Sequence, residues 1–419
     1  MELKVIDELE YKKFALESPY ISIYQLPEWG KLKSTTGWKN HLVGLYDKDN
    51  LKGVTLILEK REPMGLNLFY APRGYLVDVF DYELLKMFHK EVIKYVKSNK
   101  GFLLKVDPNV IYALYDKDGN LLSNDGKKVF DNFIKLGFKH LGFTKNFETL
   151  QPRYLCRIRL ENSYEETLKT FSKNTRKNIE KTIGMGVKVR VVDSKDMNHF
   201  TELLKLSADK NHFIIRPSSY YKKMDDLMSD YIRLYIAYID TEEYYNNLKR
   251  DYDNIKEELT EFECEMQKIN NGEKVKKHHQ DLVTKLEKIE ERLKYAKKLI
   301  NIGKMIDIGC LMSVFIGNEG ITFMSGTSLE YREFGPKYAF YNEHIKDAIK
   351  MHKEYVNFYG ISGDLSKDSP YYNIYEIKKG FNPEIVELLG EFDYVISKPK
   401  YMLYKVALKA YKIIKKLRK

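Results

Sequence analysis

Residues Tyr245 to Ile300 constrain the fold more than any other stretch of this 419-residue chain. Tyr245, Leu248, Tyr252, Ile255, Leu259, Phe262, Met266 and Ile269 recur at alternating steps of three and four. After Asn270-Asn271-Gly272, the residues His279, Leu282, Leu286, Ile289, Leu293, Ala296 and Ile300 resume the same spacing. A 3.5-residue seam marks paired helices, and Asn-Asn-Gly between two seams is a turn sequence. The spacing predicts an antiparallel coiled-coil hairpin over 243–302, each helix about 40 Å long at 1.5 Å per residue. His278 and His279 near its tip are surface or seam residues, because nothing at metal-ligand spacing accompanies them. No metal site is expected.

The arm interrupts a sheet. Leu234–Ile239 reads as a strand before it, and Ile306–Ile316, a turn at Gly317–Gly320 and Ile321–Met324 read as a hairpin after it. Elsewhere strands and helices alternate. Strands are expected at 42–46, 51–58, 66–70, 102–106, 187–192 and 355–358. Helices are expected at 82–98, 163–184, 195–211 and 341–352. Two units of similar order suggest a duplicated α/β domain, 1–150 and 151–396, the second interrupted by the arm. A hydrophobic content of 43% excludes wholesale disorder. No apolar run reaches the roughly 20 residues that span a bilayer. Cys156, Cys264 and Cys310 are odd in number and far apart, which excludes a disulfide framework and a CxxC zinc site. The first residues carry charge and no apolar core, so no secretory leader is expected, and a reduced cytoplasmic location fits.

The net charge is +11, and nine basic residues with no acid lie between Lys398 and Lys419. In that segment, 397–419, Leu403, Val406, Ala407, Ala410, Ile413, Ile414 and Leu417 fall at helical spacing between lysines. A basic amphipathic helix of this kind suits a membrane surface, an RNA, or docking on its own domain with a solvated lysine face.

Several short segments occur in a specific order. They are Gln25-Leu-Pro-Glu-Trp-Gly-Lys-Leu-Lys33, Tyr70-Ala-Pro-Arg-Gly74, Lys105-Val-Asp-Pro108, Leu150-Gln-Pro-Arg-Tyr154 and Arg176-Lys-Asn-Ile-Glu-Lys181. Arg216 with Tyr220-Tyr221, Gly360-Ile-Ser-Gly363, Ile377-Lys-Lys-Gly-Phe381 and Gly390-Glu-Phe-Asp393 follow. Over about 20–396 this set resembles the Fem family of non-ribosomal peptidyltransferases. The resemblance implies two GNAT-like acyltransferase domains, the second carrying the coiled-coil arm. It implies transfer of an amino acid (Gly, Ala or Ser) from aminoacyl-tRNA to the stem-peptide amine of a peptidoglycan precursor. The precursor is a muramyl pentapeptide, linked to a lipid or to UDP. No cofactor is implied beyond aminoacyl-tRNA as co-substrate. The expected location is cytoplasmic, as monomer or homodimer; the basic helix itself, apart from the resemblance, suggests peripheral contact with an anionic membrane at its inner face.

Aminolysis of an ester needs a deprotonated amine and a donor for the tetrahedral oxyanion. Lys378 matches the Lys of the family's Phe-Lys motif and is the expected donor or phosphate contact, with Ile377 in the place of the Phe. Asp107, at a strand end before Pro108, is the expected carboxylate for the acceptor ammonium or its proton; by sequence alone it is equally a turn-starting Asp-Pro. Lys33, Arg216, Tyr220, Tyr221 and Arg73 are expected precursor contacts, since Lys and Arg suit a diphosphate and Tyr adds a hydroxyl and a ring. Ser325 and Asn357 stand where the family has Tyr and Asp. Arg176, Lys177 and Lys181, beside Lys173 on one helix, suit an RNA backbone or a plain solvated face. An acyl-CoA enzyme would need a Gly-rich pyrophosphate turn opening a helix, and Gly184-Met-Gly186 precedes a strand instead. A tRNA-dependent transferase acting on a lipid headgroup, and a non-catalytic coiled-coil RNA-binding or scaffold protein, are the other readings.

Overall fold

A computed structural model of the chain describes residues 1–211, 215–266 and 272–417. It begins with β1 (Glu2–Val5), α1 (Glu8–Glu17), α2 (Pro27–Ser34), β2 (Lys39–Asp47), β3 (Asn50–Glu62), β4 (Leu66–Ala71), α3 (Tyr82–Ser98) and β5 (Gly101–Val106). There follow β6 (Ile111–Tyr115), β7 (Leu121–Ser123), α4 (Gly126–Lys135), β8 (Lys139–His140), β9 (Tyr154–Arg159), α5 (Tyr164–Thr170), α6 (Lys173–Gly184) and β10 (Val187–Val192). Next come α7 (Met197–Asn211), α8 (Ser218–Met228), β11 (Ile232–Asp240), α9 (Thr241–Met266), α10 (Glu273–Ile302), β12 (Met305–Ile316) and β13 (Glu319–Thr327). The last elements are α11 (Pro336–Lys350), β14 (Tyr355–Ile361), α12 (Tyr372–Lys379), β15 (Glu384–Leu388), β16 (Phe392–Val395) and α13 (Lys398–Leu417).

The class is mixed α/β with two sheets, as expected. One sheet has the order β1-β2-β3-β4-β5-β16-β8, the other β10-β11-β12-β13-β14-β9-β15-β6-β7. Both repeat one plan. Four strands pair antiparallel, the fourth pairs parallel with a fifth, and the fifth pairs antiparallel with a sixth. The parallel pairs are β4 with β5 and β13 with β14, joined across α3 and α11 as a parallel connection requires. The sheets exchange strands across the boundary expected near residue 150. β6 and β7 join the second sheet, and β16 returns to the first.

The first sheet is covered on both faces, so β3 is buried without alternation from Gly53 to Leu58. Ile57 faces a cluster with Phe88 and Val92 of α3, whereas Leu56 and Leu58 face Trp29 and Leu32 of α2. Each fully buried side chain of this kind stabilises the fold by about 1.5–3 kcal/mol. Asp81 starts α3 by accepting from Leu84 N at 3.0 Å.

Several element bounds depart from the sequence reading. The single helix expected over 163–184 is two, because Phe171 turns into the core against Phe381 and Ser172 caps α6 at Thr175 N. The helix expected at 341–352 begins earlier, at Pro336, which suits a first helical turn. The turn expected at Gly317–Gly320 is shorter, with Ile316 and Glu319 already paired.

Two antiparallel helices, α9 and α10, stand between the adjacent strands β11 and β12. Thr241 meets Lys304 at their base, and Glu263 accepts from His279 at 2.8 Å far along them. Tyr244, Leu248, Leu293, Ala296 and Leu299 bury the base in the core of the second sheet. Of the expected turn, Asn270 and Asn271 lie outside the described residues, as does the seam residue Ile269. Arg418, Lys419 and the side chains of Ile413, Ile414 and Leu417 lie outside them as well.

Candidate active site

A cavity of about 620 Å³ lies against one face of the second sheet. Its floor is one face of the second sheet, with Leu155, Ile321, Phe323 and Val386. Its roof is the end of α1 and the chain that follows, Leu16–Tyr24. Arg73, Tyr24 and Tyr359 form a polar end, and Arg157, Glu319 and Asn357 form another polar lining.

Tyr359 is the hub. Its φ of +63° is in the left-handed region, uncommon for a bulky residue and held only where surroundings over-determine it. Here the surroundings do so. Its hydroxyl lies 3.0 Å from that of Tyr24 and donates to Gln151 Oε1 at 3.1 Å. Its amide donates to Asn357 Oδ1 at 2.8 Å. Its carbonyl faces Lys378.

Lys378 comes from the last turn of α12 and is 5% exposed. Its Nζ donates to the carbonyls of Gly360 at 2.8 Å and Tyr359 at 3.4 Å. Those carbonyls sit where β14 bulges against β9, between Asn357 and Gly360. β13 and β14 pair over three residues only and then part. Lys378 lies beside Cys156, whose side chain faces the core on the side of β9 opposite Leu155 and the cavity. Burial pulls its pKa down to about 8.

Asp107 follows β5 and is 1% exposed. Its Oδ1 accepts from Arg73 N at 2.9 Å, while its Oδ2 has no hydrogen-bond partner. Burial raises its pKa to about 6 against the opposing pull of Arg73. Arg73, also at positive φ, donates to the Pro152 carbonyl at 2.8 Å and keeps a guanidinium nitrogen 3.8 Å from Asp107 Oδ2. Asp107 and Lys378 thus both sit one layer behind the lining, joined through Arg73 and Tyr359. Neither lines the cavity itself.

A second group forms where α2 meets α8. Lys33 lies over Trp29 at 5.7 Å, and Arg216 lies 5.9 Å from the Tyr220 ring. Tyr221 is buried, and its hydroxyl accepts from Arg216 N at 3.2 Å. Desolvation and then the charges of Arg216 and Lys60 lower the Lys33 pKa. Neither Lys33 nor Arg216 has a carboxylate partner among the described residues. Like charges gathered without a counter-charge form a seat for an anion. Rings connect this seat to the cavity: Trp29 meets Tyr24 at 4.7 Å, Tyr24 meets Phe323 at 6.0 Å, and Phe323 meets Tyr359 at 5.7 Å.

A third group flanks Lys378. Lys177 and Lys181 are exposed on α6, and Arg176 is half-buried. Ser172 N, at the start of α6, donates to the Gly380 carbonyl at 2.9 Å, so this basic face borders the end of α12. Gly380 is required there, since a Cβ would collide with Thr175 Oγ1.

Sequence reasoning missed Tyr359, Tyr24 and Arg157 as lining residues, although Tyr359 immediately precedes the Gly360–Gly363 segment. Arg153 and Tyr154, in another quoted segment, are structural. Both bind Glu387, Tyr154 at 2.9 Å, and Arg153 also donates to Leu388 O at 3.1 Å. Asn357 has a clear local reason: its amide donates to Glu319 Oε2 at 2.9 Å, which an ionised Asp would repel.

Two sheets of one repeated plan, with a cavity against the second and a buried lysine behind it, make up the fold and the candidate site. The chain belongs to the FemAB family, which matches residues 6–409. It is 29% identical over 415 residues to the aminoacyltransferase FemA of Staphylococcus epidermidis (strain RP62A), covering 98% of each chain. Against FemA of Staphylococcus aureus (strain MW2) it is 29% identical over 400 residues, covering 94% of this chain and 95% of that one. The crystal structure of FemX has the same fold, with a TM-score of 0.77 and 24% identity over 96% of this chain and 99% of that one.

Proposed function

We propose that this enzyme moves one amino acid (Gly, Ala or Ser) from aminoacyl-tRNA to the stem-peptide amine of a lipid-linked or UDP-linked peptidoglycan precursor. The observation that carries the reading is the pair of approaches to Tyr359. The cation seat of Lys33 and Arg216 leads by an aromatic path to the cavity side, and the basic face of α6 borders Lys378 on the other side of the sheet. A diphosphate-bearing acceptor suits the first approach, and the end of a polynucleotide suits the second.

In the reaction the amine nitrogen bonds to the ester carbonyl carbon, and the bond from that carbon to the ribose oxygen breaks. The attacking amine loses a proton and the ribose oxygen gains one. Lys378 supplies positive charge to the oxyanion. Arg73, held by Asp107, orients the acceptor end.

The test is mass spectrometry after incubation with total charged tRNA and each form of the precursor. The expected result is a gain of one amino-acid residue on one acceptor, abolished by RNase. No gain on either acceptor, with folded protein and charged tRNA confirmed, sinks the reading. Lys33→Met and Arg216→Met should each raise the KM for the precursor about tenfold or more with little change in kcat, as for loss of a charged hydrogen bond used equally in ground and transition states. Steady-state kinetics with the precursor varied would show it, and an unchanged KM would remove both residues from the acceptor site.

A further inference from the structure

Among the described residues, helix α13 is bound to the body by tyrosines, not by Leu403 or Val406. Tyr401 is 8% exposed, packs with Leu66, Leu68, Phe102 and Leu103, and donates to Asp393 Oδ2 at 2.8 Å. Tyr404, one turn on, meets the Phe102 ring edge-on at 5.3 Å. Leu403 and Val406 are therefore not the docking face. At 100° per residue they and Met402 lie on the side away from the two tyrosines. Met402 is 61% exposed, Leu403 45% and Val406 63%.

Three large apolar side chains on one face of a helix, held out by a docked opposite face, need a partner. Lys398, Lys400, Lys405 and Lys409 accompany them, and the whole segment from 398 to the last residue has no acid. Apolar residues edged by lysines match an anionic lipid surface in both terms: the aliphatic groups enter the headgroup layer, and the lysines meet its negative potential. An apolar protein partner would not account for the charge, and a nucleic acid would not account for the aliphatic face.

The position of the helix strengthens the match. Trp38 packs on the same cluster that receives Tyr401, and Lys60 lies over Trp38 at 5.4 Å. Lys60 is one of the charges acting on Lys33. The cluster that holds the helix thus reaches Lys60 through Trp38, and the charge of Lys60 is felt at Lys33.

We propose that α13 docks the enzyme on an anionic membrane surface through Met402, Leu403 and Val406, bringing the Lys33–Arg216 seat to the headgroup layer. The membrane docking stands by itself. Its consequence for the acceptor, that the lipid-linked form is taken at the membrane, rests on the function proposed above.

The experiment is co-sedimentation of the full chain with vesicles of phosphatidylcholine alone or with about a third phosphatidylglycerol. Binding is expected only to the anionic vesicles and should fall at least tenfold between 50 and 500 mM salt, as screening requires. Met402→Asp with Val406→Asp should abolish it. Because both side chains face solvent, the fold should survive, and a melting curve checks this. Lys405→Gln with Lys409→Gln should weaken binding severalfold as a gentler second variant. No wild-type binding to anionic vesicles, or binding unaltered in both variants, overturns the proposal. So does a change from dimer to monomer in the aspartate variant with vesicle binding intact, which would assign the face to a second copy. In the transfer assay, the aspartate variant should lose rate on vesicle-borne lipid-linked acceptor and keep it on the soluble form. Absence of transfer by the wild type to either acceptor would refute the proposed function while leaving the vesicle result to decide the docking.

Discussion

Lys378→Met is expected to lower kcat by about 10²- to 10³-fold, the range found when one oxyanion donor is removed. Lys378 is buried, and with a pKa near 8 it is cationic at pH 7 and loses its charge as pH rises through that value. The reaction rate should therefore fall on the alkaline side with a limb near pH 8. Lys378→Arg separates charge from architecture. It keeps a cation that does not titrate in this range, so the alkaline limb should disappear even if misfit of the guanidinium lowers the plateau. The carbonyls of Tyr359 and Gly360 lose a donor in the methionine variant, while an expensive buried ammonium is also removed. These terms oppose each other, each on the order of 1–3 kcal/mol. The variant should therefore remain folded at 25 °C. Pre-steady-state transfer from charged tRNA would read the chemical step. A methionine variant with wild-type turnover would show that the lysine only ties α12 to β14.

Lys378 stands out only through the family resemblance, and its surroundings carry no local signal, for a physical reason. Helices α9 and α10 are legible because their apolar residues recur three and four positions apart. Strands β10 and β11 are legible through local composition. Tyr359 owes its role to Tyr24, 335 residues distant, and to a bulge that no local pattern encodes. The strand exchange is similarly hidden, since β16 has four residues and β7 three, too short for alternation to register. Phe171 and Ser172 interrupt a helical pattern because the core around Phe381 claims one and the amide of Thr175 the other. Asp107 was placed correctly at a strand end, but its separation from the cavity by Arg73 is a matter of tertiary packing alone.

That separation determines what Asp107→Asn should do. The substitution is nearly isosteric, and the amide oxygen can still accept from Arg73 N, so the fold should persist. What is lost is a negative charge beside Arg73 in a site nearly closed to water. With a pKa near 6, Asp107 is protonated below that value and ionised above it. Activity that depends on the ionised form should therefore rise as pH increases through about 6. Both available roles require the ionised state: holding Arg73 against Pro152 and Tyr359, and taking the ammonium proton after a movement of Arg73. The asparagine variant should lose the acidic limb and about 10²-fold or more in kcat/KM, in line with removal of a proton-transfer group. The two roles then divide on a second substitution. If Asp107 only holds Arg73, Arg73→Lys should itself abolish the limb, and adding Asp107→Asn should cost little more. If Asp107 takes the proton, the limb should persist in Arg73→Lys, displaced upward, because a less well-placed cation leaves the buried carboxyl easier to protonate. Profiles of kcat/KM from pH 5 to 9 for the wild type, both single variants and the double variant would decide between them. An acidic limb unchanged in Asp107→Asn would exclude this carboxylate from either role.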